Sequence, residues 1–227
     1  MKKLVVLTGA GMSAESGLST FRDSNGLWEN YPVQQVATPE GWKENPELVL
    51  KFYNMLRNQL LKVKPNDGHK GLVELEKKYD TCIVTQNIDN LHERAGSNNV
   101  IHLHGELTKI RGTVHKEYIK ELKPEEYEVK IGDYTPFGDQ FRPHIVWFGE
   151  EVPMMDKVIK ETEKADIFVV IGSSLVVYPA AALINFVPTN APIYVIDPKE
   201  VSLPSRPNVH HLKMKASEGI RKLIEIL

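Results

Sequence analysis

Apolar residues fall into short unbroken runs set between stretches of helical spacing. Leu4 to Leu7, Thr81 to Thr85, Val100 to Leu103, Ile167 to Ile171 and Ile193 to Ile196 are such runs, rich in β-branched residues. A run without polar alternation predicts a strand buried on both faces, as in a parallel sheet. Val209 to Leu212 reads as a last, more polar strand. Between the runs, Leu48, Phe52, Met55, Leu56 and Leu60 recur at helical spacing, after a Pro46 that suits a first helical turn. Gly68 to Tyr79, Met154 to Lys164, the stretch opened by Tyr178-Pro179, and Ala216 to Ile226 read as further helices. Strands alternating with helices predict an α/β fold around a parallel sheet.

The first strand runs directly into Gly9-Ala10-Gly11-Met12-Ser13-Ala14. This is the G-x-G-x-x-A spacing of a dinucleotide-binding turn. On that reading Gly9 permits the turn, Gly11 lets the backbone approach a pyrophosphate, and a helix starts near Ser13 with free N–H groups facing phosphates. Packing alone is the plain alternative for such glycines. A dehydrogenase would continue to a second strand ending in an acid for the ribose. Here Ser24-Asn25-Gly26-Leu27-Trp28 reads as a loop, which argues against hydride transfer.

Polar residues gather where the predicted strands end: Gln86-Asn87-Ile88-Asp89, His104-Gly105, Gly172-Ser173-Ser174 and Asp197. Parallel sheets bind ligands at these carboxyl ends. Asp89 could equally cap a helix. His102 and His104 alternate with apolar neighbours and share a face, and either could be structural.

Composition narrows the classes. The chain has 227 residues, 26% of them charged, and a formal net charge of −2, so neither a nucleic acid nor a membrane is an expected partner. Cys82 is the sole cysteine, which rules out a disulfide or a cysteine zinc cluster within one chain. No stretch has the length of a membrane span, and Lys2-Lys3 precedes too short an apolar run for a signal peptide. A cytoplasmic location is the resulting expectation. Glu106 to Gln140 is charged and poor in aliphatic residues, and predicts a surface excursion. His115, Glu117 and Asp133 within it match no familiar metal spacing.

Taken together, GAGMSAESGLSTFRD, TQNIDNLH, HLHGEL, RPHIVWFGE, GSSLVVYPAA and KASEG resemble the sirtuin family of NAD-dependent protein-lysine deacylases, in family order across nearly the whole chain. The pattern is most similar to the bacterial class that includes desuccinylases. The resemblance implies a Rossmann-like part at about 1–31, 68–105 and 141–227, with helices on both faces of its sheet. It also implies a small domain built from insertions at about 32–67 and 106–140. NAD would be consumed as co-substrate, giving nicotinamide and 2′-O-acyl-ADP-ribose. Gly9, Ala10, Gly11 and Glu15 would hold the pyrophosphate, and Phe21 and Arg22 would cover the nicotinamide side. Gln86, Asn87, Ile88 and Asp89 would line the nicotinamide and ribose pocket. His104 would be the general base, with Asn87 and Asp89 as catalytic partners, and imidazole suits that role near neutral pH. Gly172, Ser173, Ser174, Asp197 and Ala216 would contact the adenosine half. Val146, Phe148, Gly149 and Glu150 would face Val176, Val177 and Tyr178 across a cleft that takes an acyl-lysine peptide as an added strand.

This chain departs from that family in ways that alter the expectation. The four zinc cysteines are missing, so no zinc is expected and Pro, Gly and local packing must hold residues 106–140. Tyr53 of the desuccinylase acyl clamp is kept, but Leu56 stands where its Arg belongs and Arg57 lies one residue further. That placement predicts a preference for neutral acyl groups. Ser19 replaces a usual Pro, and Asp197 a frequent Asn. NAD glycohydrolysis or ADP-ribosyl transfer at the same site, or a non-catalytic NAD-binding role, are the competing readings.

Overall fold

The computed structural model describes residues 1–18, 31–203 and 205–227. The chain forms β1 (Lys3–Thr8), β2 (Asp80–Thr85), β3 (Val100–His102), β4 (Gly105–Gly112), β5 (Ile119–Glu121), β6 (Phe141–Ile145), β7 (Ile167–Ile171), β8 (Ile193–Ile196) and β9 (Val209–Leu212). Six of these make one parallel sheet in the order β3-β2-β1-β7-β8-β9. The order reverses between β1 and β7, the switch point where doubly wound sheets open a ligand crevice.

The buried runs explain the layering. Leu4, Val5, Val6 and Leu7 are all fully buried. Val5 and Leu7 join one apolar cluster with Val84, Phe168 and Leu183, while Leu4 and Val6 join the other with Leu72, Ile83 and Leu223. Both faces are therefore covered, and full burial of each such side chain contributes roughly 1.5–3 kcal/mol.

A second sheet, β5-β4-β6, is antiparallel. It packs with the helix Pro46–Leu60, whose Phe52, Tyr53, Leu56 and Leu60 meet Leu107, Ile145 and Trp147. Asn45 caps that helix by accepting from Leu48 N, and Pro46 follows at its start. No helix among the described residues is long and apolar enough to cross a membrane.

Three expectations need correction. The helix after β1 begins at Ala10, not near Ser13, and ends at Ala14. The stretch Phe141–Ile145 pairs with β4, so it belongs to the small sheet and the large layer resumes only later. Residues 106–140 are more than a surface excursion. Ile110, Leu122, Tyr127, Val129 and Phe141 form their own apolar cluster with Leu50. In addition, the stretch after Tyr178-Pro179 is a 3-10 helix, Ala180–Phe186.

No set of thiolates exists at the zinc position of the family, and the residues present do not fit that ion. Hydrogen bonds knit this part together instead. The Asp139 carboxylate accepts from the Thr135 hydroxyl, from Val114 N at 2.7 Å, and from His115 N and Nδ1 at 3.2 and 3.0 Å. The Thr135 bond first, then these N–H groups, hold its carboxyl far below the usual range. Gln140 Nε2 donates to the carbonyls of Lys130 and Asp133, and its Oε1 accepts from Gly132 N. Asp139→Ala is therefore expected to lower the melting temperature, with EDTA leaving that of the wild type unchanged. A calorimetric scan of each, with and without chelator, checks both halves.

Candidate active site

The loop after β2 reaches every neighbouring strand end. Gln86 Nε2 donates to Ser173 Oγ beyond β7 at 2.8 Å, and Gln86 N to the carbonyl of Thr8. Asn87 Nδ2 donates to Gly9 O at 3.0 Å and to Ser13 Oγ at 3.2 Å. Because a carbonyl only accepts, this fixes the amide orientation and turns Asn87 Oδ1 to the other side. Ser13 Oγ donates to Asp89 Oδ2 at 2.9 Å, while Asp89 Oδ1 accepts from Leu91 N at 3.0 Å. Asp89 thus also stands at the start of the helix Leu91–Ala95. Burial pushes its carboxyl up, against the pull of those two bonds.

The two histidines hang from carbonyls of the same loop. His104 Nδ1 lies 3.0 Å from Gln86 O, and His102 Nδ1 3.2 Å from Asn87 O. In each, Nδ1 must carry the proton. For His104 this leaves Nε2 as the basic nitrogen. Burial, partly offset by the Gln86 bond, lowers its pKa below the ordinary value, so the free base dominates at neutral pH. His102 differs: its Nε2 meets Glu93 Oε1 at 2.7 Å. Burial alone would lower its pKa, but the Glu93 contact outweighs it and the pKa is raised. His104 is therefore poised to take a proton and His102 to keep one.

Gly105 explains how His104 is held. Its φ is +81°, and a Cβ there would meet His144 O at 2.1 Å. The chain turns there into β4, while the His104 carbonyl accepts from Val146 N at 2.9 Å. One residue thus joins the nucleotide side to the segment after β6.

The glycine-rich turn has a different use from the one its spacing suggests. Gly11 N donates to Gly172 O at 2.9 Å, and a Cβ on Gly11 would lie 2.6 Å from Gly172 Cα. The close approach that demands glycine is thus between two turns at the switch point, not toward a ligand alone. Gly9 N is likewise bonded to Ile171 O. Ala10 N is the N–H in this turn without a backbone partner among the described residues. Glu15, expected at the pyrophosphate, spends Oε2 on Ser217 N at 2.9 Å. It fastens the last helix, Ala216–Ile226, against the turn and places buried Ala216 there.

Across the crevice, Asp197 follows β8. Its Oδ1 accepts from Lys199 N at 2.8 Å, and its second oxygen has no hydrogen bond among the described residues. Gly172 turns with φ +61° and Ser173 is buried. Ser174 and Ile88 border the same strand ends, the carbonyl of Ile88 accepting from Leu107 N at 2.7 Å. Phe21 and Arg22 lie outside the described residues.

The peptide-side residues divide. Phe148, Val176 and Tyr178 are exposed, Tyr178 by 74%. Gly149 is exposed and Val146 and Val177 are half-buried. Glu150 does not face the cleft as a free carboxylate. Arg142 grips it with Nη1 at 2.9 Å and Nη2 at 3.0 Å, Arg111 adds a bond at 3.3 Å, and Trp147 N donates to it at 2.8 Å. Its burial would raise its pKa, but these partners lower it. Arg142 also stacks 3.3 Å over the Trp147 ring. Trp147 Nε1 in turn donates to the Tyr53 hydroxyl at 3.0 Å.

Arg57 stands one residue beyond the position at which desuccinylases carry their Arg. It is fully buried, with Nε on Leu107 O at 2.8 Å and Nη1 on Asn54 Oδ1 at 2.9 Å. Two of its three nitrogens are thus held under β4, Nη2 is buried without a partner among the described residues, and burial lowers its pKa to about 10. Leu56 is buried beside Tyr53 in the cluster that contains Trp147.

Among the described residues, Glu93, His102 and Glu106 form a group that could hold a metal ion. Lys109 already pairs with Glu106 at 2.6 Å and His102 with Glu93, so the group is a closed ion-pair network.

Two buried imidazoles support the loop from below. His92 Nε2 reaches Thr8 Oγ1 at 3.1 Å, and His69 packs on His92 with ring centroids 4.9 Å apart. Burial pushes His69 down to about 4 and His92 well below its ordinary value. A depressed folded-state pKa gives stability that is complete above about pH 6.5 and is lost as pH falls toward 4. Urea unfolding at pH 7 and pH 4.5 should differ, with His69 alone accounting for on the order of 3 kcal/mol. An unchanged midpoint would contradict the buried, neutral assignment.

A Sir2 family model matches residues 9–179. The NAD-dependent protein deacylase of Bacteroides thetaiotaomicron is 60% identical, over 100% of this chain and 98% of that one. The Helicobacter pylori protein of the same name is 46% identical, over 99% and 96%. A mutant Sir2 homologue in complex with ADP-ribose superposes with a TM-score of 0.90 at 40% identity, covering 99% of this chain and 91% of that one. A Sir2 homologue–NAD complex gives 0.88 at 39%, covering 99% and 89%. On the family model and these nearly full-length relatives, the chain belongs to the Sir2 family.

Proposed function

We propose that this chain is an NAD-dependent protein-lysine deacylase that favours neutral acyl groups, acetyl first, and acts in the cytoplasm. The observation that carries the reading is the placement of His104. Its imidazole hangs from the nicotinamide-pocket loop with Nε2 basic, and its backbone holds Val146 at the wall of the peptide cleft. The names of relatives across the full length of the chain favour the same reading.

The residues present fit a dinucleotide at the switch point. Asp197 has a carboxylate oxygen free for ribose hydroxyls, Ala10 N and the Gly172-Ser173-Ser174 turn border the phosphate and adenosine side, and Asn87 Oδ1 faces away from its own anchors. NAD, when bound, supplies a ribose carbon made electrophilic by loss of nicotinamide. Asn87 and Asp89 hold that end of the crevice in one geometry, a positioning effect. His104 removes a proton from a ribose hydroxyl, as a neutral imidazole with a lowered pKa can at physiological pH. Phe21 and Arg22 retain the covering role that the resemblance implies.

On the other side, Val146, Phe148 and Gly149 face Val176, Val177 and Tyr178, and an extended peptide between them adds a strand. Glu150 serves this cleft by bracing it through Arg142. The acyl group is directed toward Tyr53, Leu56 and Trp147. Burial pushes the Tyr53 phenol well above its ordinary range, so it stays a neutral hydrogen-bond donor. A carboxylated acyl chain there meets Leu56 in place of a guanidinium, since Arg57 points Nε to Leu107 O and Nη1 to Asn54 and keeps its Nη2, unpartnered among the described residues, buried.

His104→Ala should lower kcat by roughly a hundredfold to ten-thousandfold, the span of general-base contributions, while NAD still binds. The wild-type kcat/KM should keep its value to a pH below the ordinary imidazole range as pH is lowered, because the His104 pKa is depressed. Acetyl-lysine peptide should turn over faster than succinyl-lysine peptide, and Leu56→Arg should reverse the order. Faster succinyl turnover by the wild type would contradict the acyl assignment.

A further inference from the structure

His102 closes β3, two residues before His104, and its imidazole is held differently. His104 is bonded at Nδ1 to the carbonyl of Gln86, and its Nε2 has no hydrogen bond among the described residues. His102 is bonded at both ring nitrogens. Nδ1 lies 3.2 Å from Asn87 O, and Nε2 lies 2.7 Å from Glu93 Oε1. Burial would raise the Glu93 carboxyl, but the His102 bond outweighs it and keeps Glu93 ionised. A carbonyl oxygen and a carboxylate oxygen only accept, so both ring nitrogens carry protons and His102 is an imidazolium.

The surroundings favour that charge. Ligand atoms of Glu93, His102 and Glu106 lie within 4.8 Å of one another. Lys109 is the cation on the β4 side, and Glu106 holds it at 2.6 Å. The loop contributes Asp89, and the helix Leu91–Ala95 contributes His92, which burial keeps neutral. The His102 side chain is only 7% exposed, so its two bonds are charge-assisted and shielded from water. The path continues inward. Asn87 Nδ2 donates to Ser13 Oγ, and Ser13 Oγ donates to Asp89. One chain of bonds thus runs from the partly exposed Glu93 through His102, Asn87 and Ser13 to buried Asp89.

We propose that His102, doubly protonated between Glu93 and the carbonyl of Asn87, is a positioning residue that holds Asn87 for the cleavage of NAD. The inference rests on the deacylase reading and adds a second histidine with the opposite protonation requirement. His104 must be neutral to take a proton, and His102 must be charged to donate at both nitrogens. When His102 loses a proton, the stronger bond to Glu93 keeps the one that remains. Nδ1 then turns a lone pair toward Asn87 O, and the brace is lost. Burial lowers the His102 pKa but the Glu93 bond outweighs it, so this loss comes above the ordinary imidazole range. Turnover should therefore fall on the alkaline side as well as on the acid side.

The test measures acyl-ADP-ribose formation from NAD and an acetyl-lysine peptide, between about pH 6 and pH 9, for the wild type, His102→Ala and Glu93→Gln. His102→Ala should lower kcat about tenfold to a hundredfold, the worth of a hydrogen bond from a charged group, with the KM for peptide kept. Glu93→Gln separates the charge from the brace. Its amide can donate to Nε2 and leave Nδ1–H on Asn87 O in a neutral ring. This variant should turn over faster than His102→Ala at neutral pH and lack the alkaline fall. Wild-type kcat in His102→Ala, no alkaline fall in the wild type, or the same fall in Glu93→Gln would overturn the role of His102 and leave the deacylase standing. Absence of acyl-ADP-ribose from the wild type would overturn both. Ring-nitrogen NMR of the wild type at neutral pH reads the charge directly. His102 should show two protonated nitrogens and His104 one, and a neutral His102 would overturn the inference even where His102→Ala does not fold.

Discussion

The polar loop between β2 and the helix Leu91–Ala95 holds the rest of the site in place. Asn87 binds the turn after β1, Gln86 the turn after β7, and Asp89 the short helix Ala10–Ala14 through Ser13. Its carbonyls carry His102 and His104. Asn87 and Asp89 are buried, and leaving one buried partner unpaired costs about 1–3 kcal/mol. The loop is therefore fixed from several directions at once. His104, suspended from it, inherits that rigidity.

The switch point supplies the complementary constraint. β1 and β7 are neighbours with their helices leaving on different sides, so the turns after them must pass close together. Gly11 and Gly172 allow this because neither has a Cβ to collide. The strand ends around this contact carry Ser173 beyond β7, Asp197 beyond β8 and Asn87 beyond β2. Packing at the switch point therefore depends on these two glycines, and a side chain at either would force the turns apart.

The buried runs were legible because parallel strands covered on both faces need no polar alternation. The strand-end residues were legible as a group because parallel strands bring their carboxyl ends to one edge of the sheet. Other features resisted for identifiable reasons. β6 reads as mixed polarity, since Arg142 is buried by partners beyond the strand, the Glu150 carboxylate and the Trp147 ring. Arg57 looks like a solvent-facing charge, yet the carbonyl of Leu107 and the Asn54 amide draw it inside. Glu15 sits within a nucleotide-binding motif, but its partner Ser217 lies at the far end of the chain. The stitching of residues 106–140 by Asp139 likewise depends on pairs that no local pattern announces. Glycine spacing was visible, although the closest approach it permits is to another turn.

The central claim is that His104 couples a nucleotide crevice to a peptide cleft, so that cleavage of NAD depends on an acyl-lysine. The most direct measurement is mass spectrometry of NAD incubated with the protein, with and without an acetyl-lysine peptide. The account predicts nicotinamide and acyl-ADP-ribose in equal amounts only when peptide is present. Nicotinamide release without peptide, and no acyl-ADP-ribose with it, would contradict the account and point to NAD glycohydrolysis or ADP-ribosyl transfer at the same site.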